Sequence, residues 1–483
     1  MDELMLKLEP ASLWSIFAEL TTIPRPSGKE ELVMSWLREF AVKNNLDYKV
    51  DDAGNVLILK SGMLGGEMSE SVALQAHTDM VCEKNADVVF DFEKDPIQAY
   101  VDGDWIKARG TTLGGDNGIG MAMMLAVLKS KDIKHPPLEC LFTVDEETGL
   151  TGAFALDRNL LKSKVLINLD SEDDGEIFVG CAGGVDTVAV LKYEQAPAPD
   201  NYFGFRVSVR GLLGGHSGDD INKGRGNANK LLCRYLWRLN QKMDLRIATF
   251  EGGNLRNAIP REAVALAAVP WADKETIRVM LNQFSAEVER ELGDLEPNVH
   301  FDLESEELPS LFVDKLSSNR LLNSLYACPN GVIGMSRDME GLVETSTNLA
   351  SVKMKGVSFE IVTSQRSSVE FLKYDVANRV EAVFVLAGAD VMHSDGYPGW
   401  KPNLQSEILK VAQRAYSVLC GEQPKVRAIH AGLECGLFLE KYPHLDMISI
   451  GPQMYGVHSP DEKLSVSSTQ KCWRWLVEIL SSI

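Results

Sequence analysis

Along the first 180 residues the apolar positions switch between two spacings. In "EELVMSWLREFAVKNN" (30–45) they recur at helical intervals, whereas "NVLILK" (55–60), "SVALQAH" (71–77), "LECLFTV" (138–144) and "KVLINLD" (164–170) are short continuous runs. Runs of that length and content read as buried strands. "GIGMAMMLAVLKS" (118–130) is apolar all round and predicts a packed helix. Strands separated by helices predict an α/β layer on a mostly parallel sheet.

Near residue 185 the pattern changes. "YEQAPAPDNY" (193–202), with prolines at 197 and 199, reads as a hinge or an edge crossing. "FGFRVSVRGL" (203–212), "EAVALAAVPW" (262–271), "VSFEIVTSQRSS" (357–368) and "VEAVFVLAGADV" (380–391) alternate more openly and read as strands. The helical stretches 227–241 and 274–292 interrupt them, which suits an α+β domain with an antiparallel sheet. After the Gly- and Pro-rich "SDGYPGWKPN" (394–403) the α/β texture returns, with a helix at 406–419 and a strand at 444–451. The simplest architecture is one α/β domain split by an inserted domain.

Composition narrows the class. A chain of 483 residues exceeds what a single core usually supports. The charge of −20 repels phosphate backbones, and no basic stripe offsets it, so nucleic acid is not an expected partner. The longest uncharged apolar run, Gly118–Leu128, is too short to span a bilayer, and "MDELMLKLEPASLW" does not read as a secretory signal. The eight scattered cysteines form no C-x-x-C pair and read as reduced thiols of a cytoplasmic protein.

Chemistry gathers at the ends of the strand-like runs. His77 and Asp79 lie in "LQAHTDM", Asp116 in "TTLGGDNGIG", Glu146 and Glu147 in "TVDEETG", Asp170 in "INLDSED" and His458 in "PQMYGVHSP". An isolated acidic turn of this kind is usually a solvated loop. Five such places on one rim, where α/β sheets collect ligands, point to a divalent cation site with nitrogen and oxygen donors. A dinuclear site needs a shared ligand, and Asp116 in a Gly-rich loop suits that part. Adjacent residues on a regular strand face opposite ways, so one of Glu146 and Glu147 would bind metal while the other takes a proton from water. Asp79, two residues beyond His77, would hold the imidazole's second nitrogen.

With those residues in place, "LQAHTDMV", "GTTLGGDNGIGMA", "FTVDEETGLTGA", "INLDSED" and "GVHSPDE" resemble the dinuclear zinc peptidase and acylase family, through nearly the whole chain and in order. "HTDMVCEKN", "GLLGGHSGDDI" and "HAGLECGLF" resemble its aminoacyl-histidine dipeptidase branch. The resemblance implies a catalytic domain at 1–184 and 403–483 and an inserted lid at 185–402. It implies two zinc ions, with manganese or cobalt acceptable to the same donors. His77 and Asp170 would hold one ion, Glu147 and His458 the other, and Asp116 both, with a cis peptide at Asp116–Asn117. Glu146 would be the general base and Asp79 the residue orienting His77. His216 of the lid would polarise the scissile carbonyl or steady the oxyanion. Asn257 and Arg366 would hold the substrate's backbone and terminal carboxylate, and Glu434 would lie on a substrate-facing loop.

The expected reaction is hydrolysis of a dipeptide amide bond, with Xaa-His dipeptides such as β-alanyl-histidine as substrates and a homodimer as the assembly. Deacylation of N-acyl amino acids on the same scaffold is the alternative within enzymes. A silent relative that only binds metal or peptide would have no need of Glu146, and a calcium-stabilised structural protein would not explain the two histidines.

Overall fold

A computed structural model describes residues 4–483, which divide into two compact units. One unit comprises the chain up to Gly180 together with Pro402–Ala428 and Leu433–Ile483; the other comprises Cys181–Lys401 and Ile429–Gly432.

The first unit is built on an eight-stranded sheet, in the order Asp47–Val50, Val56–Lys60, Leu138–Thr143, Val72–His77, Val165–Asn168, Asp446–Ser449, Glu176–Cys181, Lys425–Ile429. The four strands from Leu138–Thr143 to Asp446–Ser449 run parallel, and the strands flanking them pair antiparallel. Every residue of Val72–His77 and Leu138–Thr143 is buried. That explains their continuous apolar character, because a parallel sheet is covered on both faces. One cover is the helix Gly115–Lys129, whose residues Ile119 to Leu128 are at most 2% exposed, so no face of it is left for solvent.

Register decides where the chemistry falls. His77 pairs with Thr143 and Gln75 with Asn168. Two residues further along the neighbouring strand place Asp170 level with His77, and the chain leaving Thr143 delivers Asp145–Glu147 to the same rim.

The second unit carries a nine-stranded antiparallel sheet, in the order His300–Ser305, Tyr202–Arg210, Ala263–Pro270, Arg246–Gly252, Val343–Lys355, Ser358–Ser367, Gly183–Lys192, Asp390–His393, with Gly331–Met335 also pairing Val343–Lys355. Leu232, Leu236, Phe284, Leu321 and Phe384 from four helices share its core with Phe205, Phe250 and Phe359 from the strands.

Two sequence expectations are corrected. "VEAVFVLAGADV" is mostly helix, since Glu370–Leu386 continues through it and only Asp390–His393 is strand. Its valines suggested a strand, but Lys373, Val376, Ala377, Val380 and Phe384 are buried at intervals of one to four, a helical stripe. "YEQAPAPDNY" is no hinge: it lies inside the second unit, where Gln195–Pro197 pairs with Leu311–Val313. Six of the eight cysteines are buried, and all are free thiols. Among the described residues no helix is long and apolar enough to cross a membrane.

Candidate metal centre

His77 is the last residue of its strand and is 1% exposed. Its Nδ1 lies 3.2 Å from Asp79 Oδ1, and its Nε2 lies 3.0 Å from Asp116 Oδ1 and 3.2 Å from Asp170 Oδ1. On the other side of Asp116, Oδ2 is 3.3 Å from His458 Nε2, which is in turn 3.1 Å from Glu147 Oε1. The structure thus gathers His77, Asp116 and Asp170 in one cluster and Asp116, Glu147 and His458 in a second, each with its donor atoms within 4.8 Å of one another. Asp116 belongs to both. Glu146 joins His77 and Glu147 in a third such cluster.

The local reasons differ from the strand-end picture. The strand Leu138–Thr143 stops before the acidic triplet, Asp145 takes a left-handed conformation (φ 52°), and Glu146–Gly149 forms a single helical turn. Glu146 and Glu147 therefore diverge through a turn and not through strand alternation. The turn is held by Asp79, whose Oδ1 accepts the Glu146 N–H at 3.0 Å and whose Oδ2 accepts the Glu147 N–H at 3.1 Å. Asp116 sits in a non-helical kink at the start of Gly115–Lys129, its bond to Asn117 is cis, and His458 lies in a loop with φ 61°.

Charge is compensated within the site by protons. Burial opposes a charge on His77, yet Asp170, Asp116 and Asp79 lift it well above the ordinary imidazole range. Contacts with Asp116 and Glu147 push His458 up to about 11. Burial works against Asp79 as an anion, but its bonds to His77 and the turn hold it down at about 2. Burial raises Asp170 to about 6 and Glu146 well above the usual carboxylate range.

The donor set suits divalent cations. Both Nε2 atoms face pairs of carboxylate oxygens at about ion-pair distance, and among the described residues buried Glu147 Oε1 has no polar partner besides His458 Nε2 at 3.1 Å. A cation would take over the compensation that the imidazole protons now supply.

Three supports went unnoticed in the sequence. Buried Arg25 donates to the carbonyls of Thr78 (3.0 Å), Asp79 (2.9 Å) and Gly114. Glu462 accepts the N–H groups of Leu113 (2.6 Å), Gly114 (3.1 Å) and Gly115 (2.7 Å), fixing the loop that carries Asp116. Asn117 Nδ2 donates to Asp170 Oδ1 at 2.5 Å. Glu434, expected on a substrate-facing loop, is instead fully buried. Its Oε2 accepts from Gln75 Nε2 (2.6 Å) and Thr143 Oγ1 (3.0 Å), and burial raises the acid to about 8.

In the second unit, His216 lies on a two-residue strand, Gly215–His216, paired with Ala258–Ile259, and the carbonyl of exposed Asn257 accepts the Ser217 N–H. Arg366 is 7% exposed and sits across from Ser346 on neighbouring strands. It donates to Tyr397 Oη at 3.1 Å, its Nε is unpartnered, and among the described residues no carboxylate pairs with it. A buried guanidinium with no direct ion pair, only the more distant charge of Asp219, is a place for an incoming carboxylate. His430, unremarked in the "HAGLECG" motif, is buried beside it; its Nε2 meets Ser346 Oγ at 2.7 Å, and burial with the Arg366 charge lowers it to about 3.

Comparison with known proteins agrees in one direction. Residues 73–482 match the sequence profile of peptidase family M20/M25/M40. The chain is 43% identical over 477 residues to the cytosol non-specific dipeptidase of Escherichia coli K12, covering 99% of this chain and 98% of that protein. The crystal structure of aminoacylhistidine dipeptidase from Vibrio alginolyticus superposes with a TM-score of 0.94 at 42% identity, covering 99% and 98% of the two chains. Aminopeptidase PepT from Bacillus cereus shares the fold, with a TM-score of 0.58 at 17% identity over 98% and 99%.

Proposed function

The chain belongs to peptidase family M20/M25/M40, and on that premise we propose that it is a metal-dependent dipeptidase using Glu146 as general base. The observation that carries this reading is the sharing of Asp116 between the His77–Asp170 and Glu147–His458 clusters, with Glu146 beside them. These five residues would hold two divalent ions, zinc by preference for mixed imidazole and carboxylate donors. When bound, such ions acidify water and polarise a carbonyl.

The remaining steps belong to side chains. Glu146, whose carboxyl is raised by burial, takes a proton from the attacking water and delivers it to the departing amine nitrogen. Asp79 keeps the His77 ring and the Glu146 turn in fixed relation. His216 donates a hydrogen bond to the developing oxyanion. Asn257 binds the substrate's backbone, and the unpaired Arg366 guanidinium binds its terminal carboxylate.

Short dipeptides are the substrates proposed, with Xaa-His among them. The names of the two close relatives support this class. A cytoplasmic homodimer is part of the same proposal. Metal analysis of the purified protein, with steady-state assays on β-alanyl-histidine, other dipeptides and N-acyl amino acids, tests it. Divalent metal with dipeptide hydrolysis is expected; hydrolysis of acyl amino acids alone would replace this reading by the deacylase one.

A further inference from the structure

We propose that Asp219 is a positioning residue whose backbone N–H fixes His216 as the tautomer with its hydrogen on Nε2, making that nitrogen a donor. The inference deepens the reading of His216 as the oxyanion donor and rests on it.

His216 offers two nitrogens, and only one neutral tautomer presents N–H at Nε2. In the turn His216–Ser217–Gly218–Asp219, the Asp219 N–H donates to His216 Nδ1 at 3.3 Å. A neutral ring that accepts at Nδ1 carries its hydrogen on Nε2. The opposite tautomer would set its Nδ1–H against the Asp219 amide and leave that amide unpaired, with only the half-exposed Asp219 Oδ2 at 3.2 Å to accept its hydrogen. The Asp219 carboxylate competes with its own amide, since its Oδ2 lies 3.2 Å from the same Nδ1 and would accept a hydrogen there; a protonated ring gains a counter-ion at that oxygen and carries hydrogen on Nε2 as well. Among the described residues Nε2 itself has no hydrogen-bond partner, so the donor is not used up within the unit.

The turn is built for this placement. Asp220 Oδ2 accepts the His216 N–H at 2.8 Å and lies 3.3 Å from Arg225 Nη1, which anchors the start of the turn. A Cβ at Gly218 would meet the His430 carbonyl oxygen at 2.2 Å and the His216 ring at 3.1–3.2 Å, so only glycine lets the ring fold back onto the Asp219 amide. The other charged or titratable groups acting on this corner are Arg366, His430 and Asp220, and none of them makes a hydrogen bond or ion pair with His216 Nδ1.

Two measurements on the metal-loaded full chain test the assignment. In protein labelled with 15N in its histidine rings, the His216 signals, identified by their loss in His216→Gln, should show a pyridine-type Nδ1 and a pyrrole-type Nε2 when the ring is neutral. The reverse pattern overturns the inference. In kinetics, Asp219→Pro removes the amide hydrogen while Asp219→Ala retains it. Asp219→Pro should lower kcat by about 10- to 100-fold with KM moved far less, approaching the loss of an oxyanion donor. Asp219→Ala, which keeps the amide, should lose far less than Asp219→Pro; an equal loss in the two variants would assign the effect to the carboxylate and overturn the proposal. In a His216→Ala background Asp219→Pro should cost nothing more; an additive loss means that the turn acts otherwise, and overturns the proposal. Should Asp219→Pro fail to fold, the ring signals decide alone. Native turnover in His216→Ala removes the reading of His216 itself, an outcome separate from the ring assignment.

Discussion

Two imidazole–carboxylate pairs in this chain have almost the same spacing and serve opposite ends. His77 Nδ1 is 3.2 Å from Asp79 Oδ1, and His216 Nδ1 is 3.2 Å from Asp219 Oδ2. The first pair has side chains 1% and 0% exposed, the second 34% and 50%. In the first, the carboxylate lies in line with Nδ1 and takes its hydrogen, which leaves the Nε2 lone pair for a cation once the ring has lost its extra proton. In the second, the Asp219 amide donates to Nδ1 at 3.3 Å beside the carboxylate at 3.2 Å, and the proposed tautomer puts the hydrogen on Nε2. A His–Asp contact therefore does not define a function; the group aligned with Nδ1 decides whether the far nitrogen gives or receives. Burial sets the rigidity. Asp79 is also gripped by two backbone amides, whereas the half-exposed pair is screened and weak.

The largest effect tests whether the buried pair is a ligand support and not a proton carrier. If Glu146 is the base, Glu146→Ala should lower kcat by about 10³-fold or more while keeping its metal, because general-base assistance and water positioning both vanish. Steady-state rates with metal content measured on the same sample check this. A variant at native rate would mean that Glu146 is not the base. Next in size is Asp79→Asn. An amide can turn its NH₂ toward Nδ1, which drives the hydrogen to Nε2 and removes the lone pair a cation needs, as in the exposed pair. Metal affinity should fall about 10- to 100-fold by calorimetric titration, while Asp219→Asn leaves it unchanged.

How far these pairs could be read in advance follows from what each residue depends on. The four parallel strands were legible because burial on both faces writes a continuous apolar run into "SVALQAH" and "LECLFTV". The rim they share was legible for the same reason. The divergence of Glu146 and Glu147 was expected from strand alternation, but a left-handed Asp145 and one helical turn produce it, and no periodicity encodes that. Asp116 and His458 were picked out as polar residues following apolar runs, and the family resemblance added which cluster each would join. Arg25 and Glu462 were invisible because their partners are backbone carbonyls and amides far along the chain, which leave no mark on composition or spacing. The strand at 380–391 was misread because valine favours sheets while the burial stripe that overrides it is a tertiary property.

Protons on the two metal-site histidines make cation binding depend on pH. In the metal-free chain His77 and His458 are both held protonated by carboxylates, so a cation must displace those protons. Affinity should rise with pH by about tenfold per unit for each proton released, with one to two released between about pH 6 and 8. Competition titrations at several pH values measure the slope. A flat profile would falsify imidazole ligation at this site. His216→Gln should leave the slope as it is.

The smallest effect concerns Glu434, a carboxyl whose burial makes it the reverse of Asp219. Its folded-state acid is raised to about 8 from an ordinary 4.5. Between those values the folded chain keeps a proton that the unfolded chain has released, so stability falls as pH rises through that window and levels off above it. Glu434→Gln cannot ionise and lacks the slope. Its amide oxygen can still accept from Gln75 and Thr143, but its NH₂ replaces an oxygen that is buried without a partner. At pH 5 the variant should therefore be equal to or slightly less stable than the native metal-free chain. By pH 8.5 it should be the more stable by about 1–2 kcal/mol in urea unfolding. Asp219→Asn, made on a half-exposed surface pair, should move stability by less than about 0.5 kcal/mol. Parallel native and Glu434→Gln curves across this range would mean that Glu434 ionises freely despite its burial, and that its Gln75 and Thr143 donors stabilise the anion.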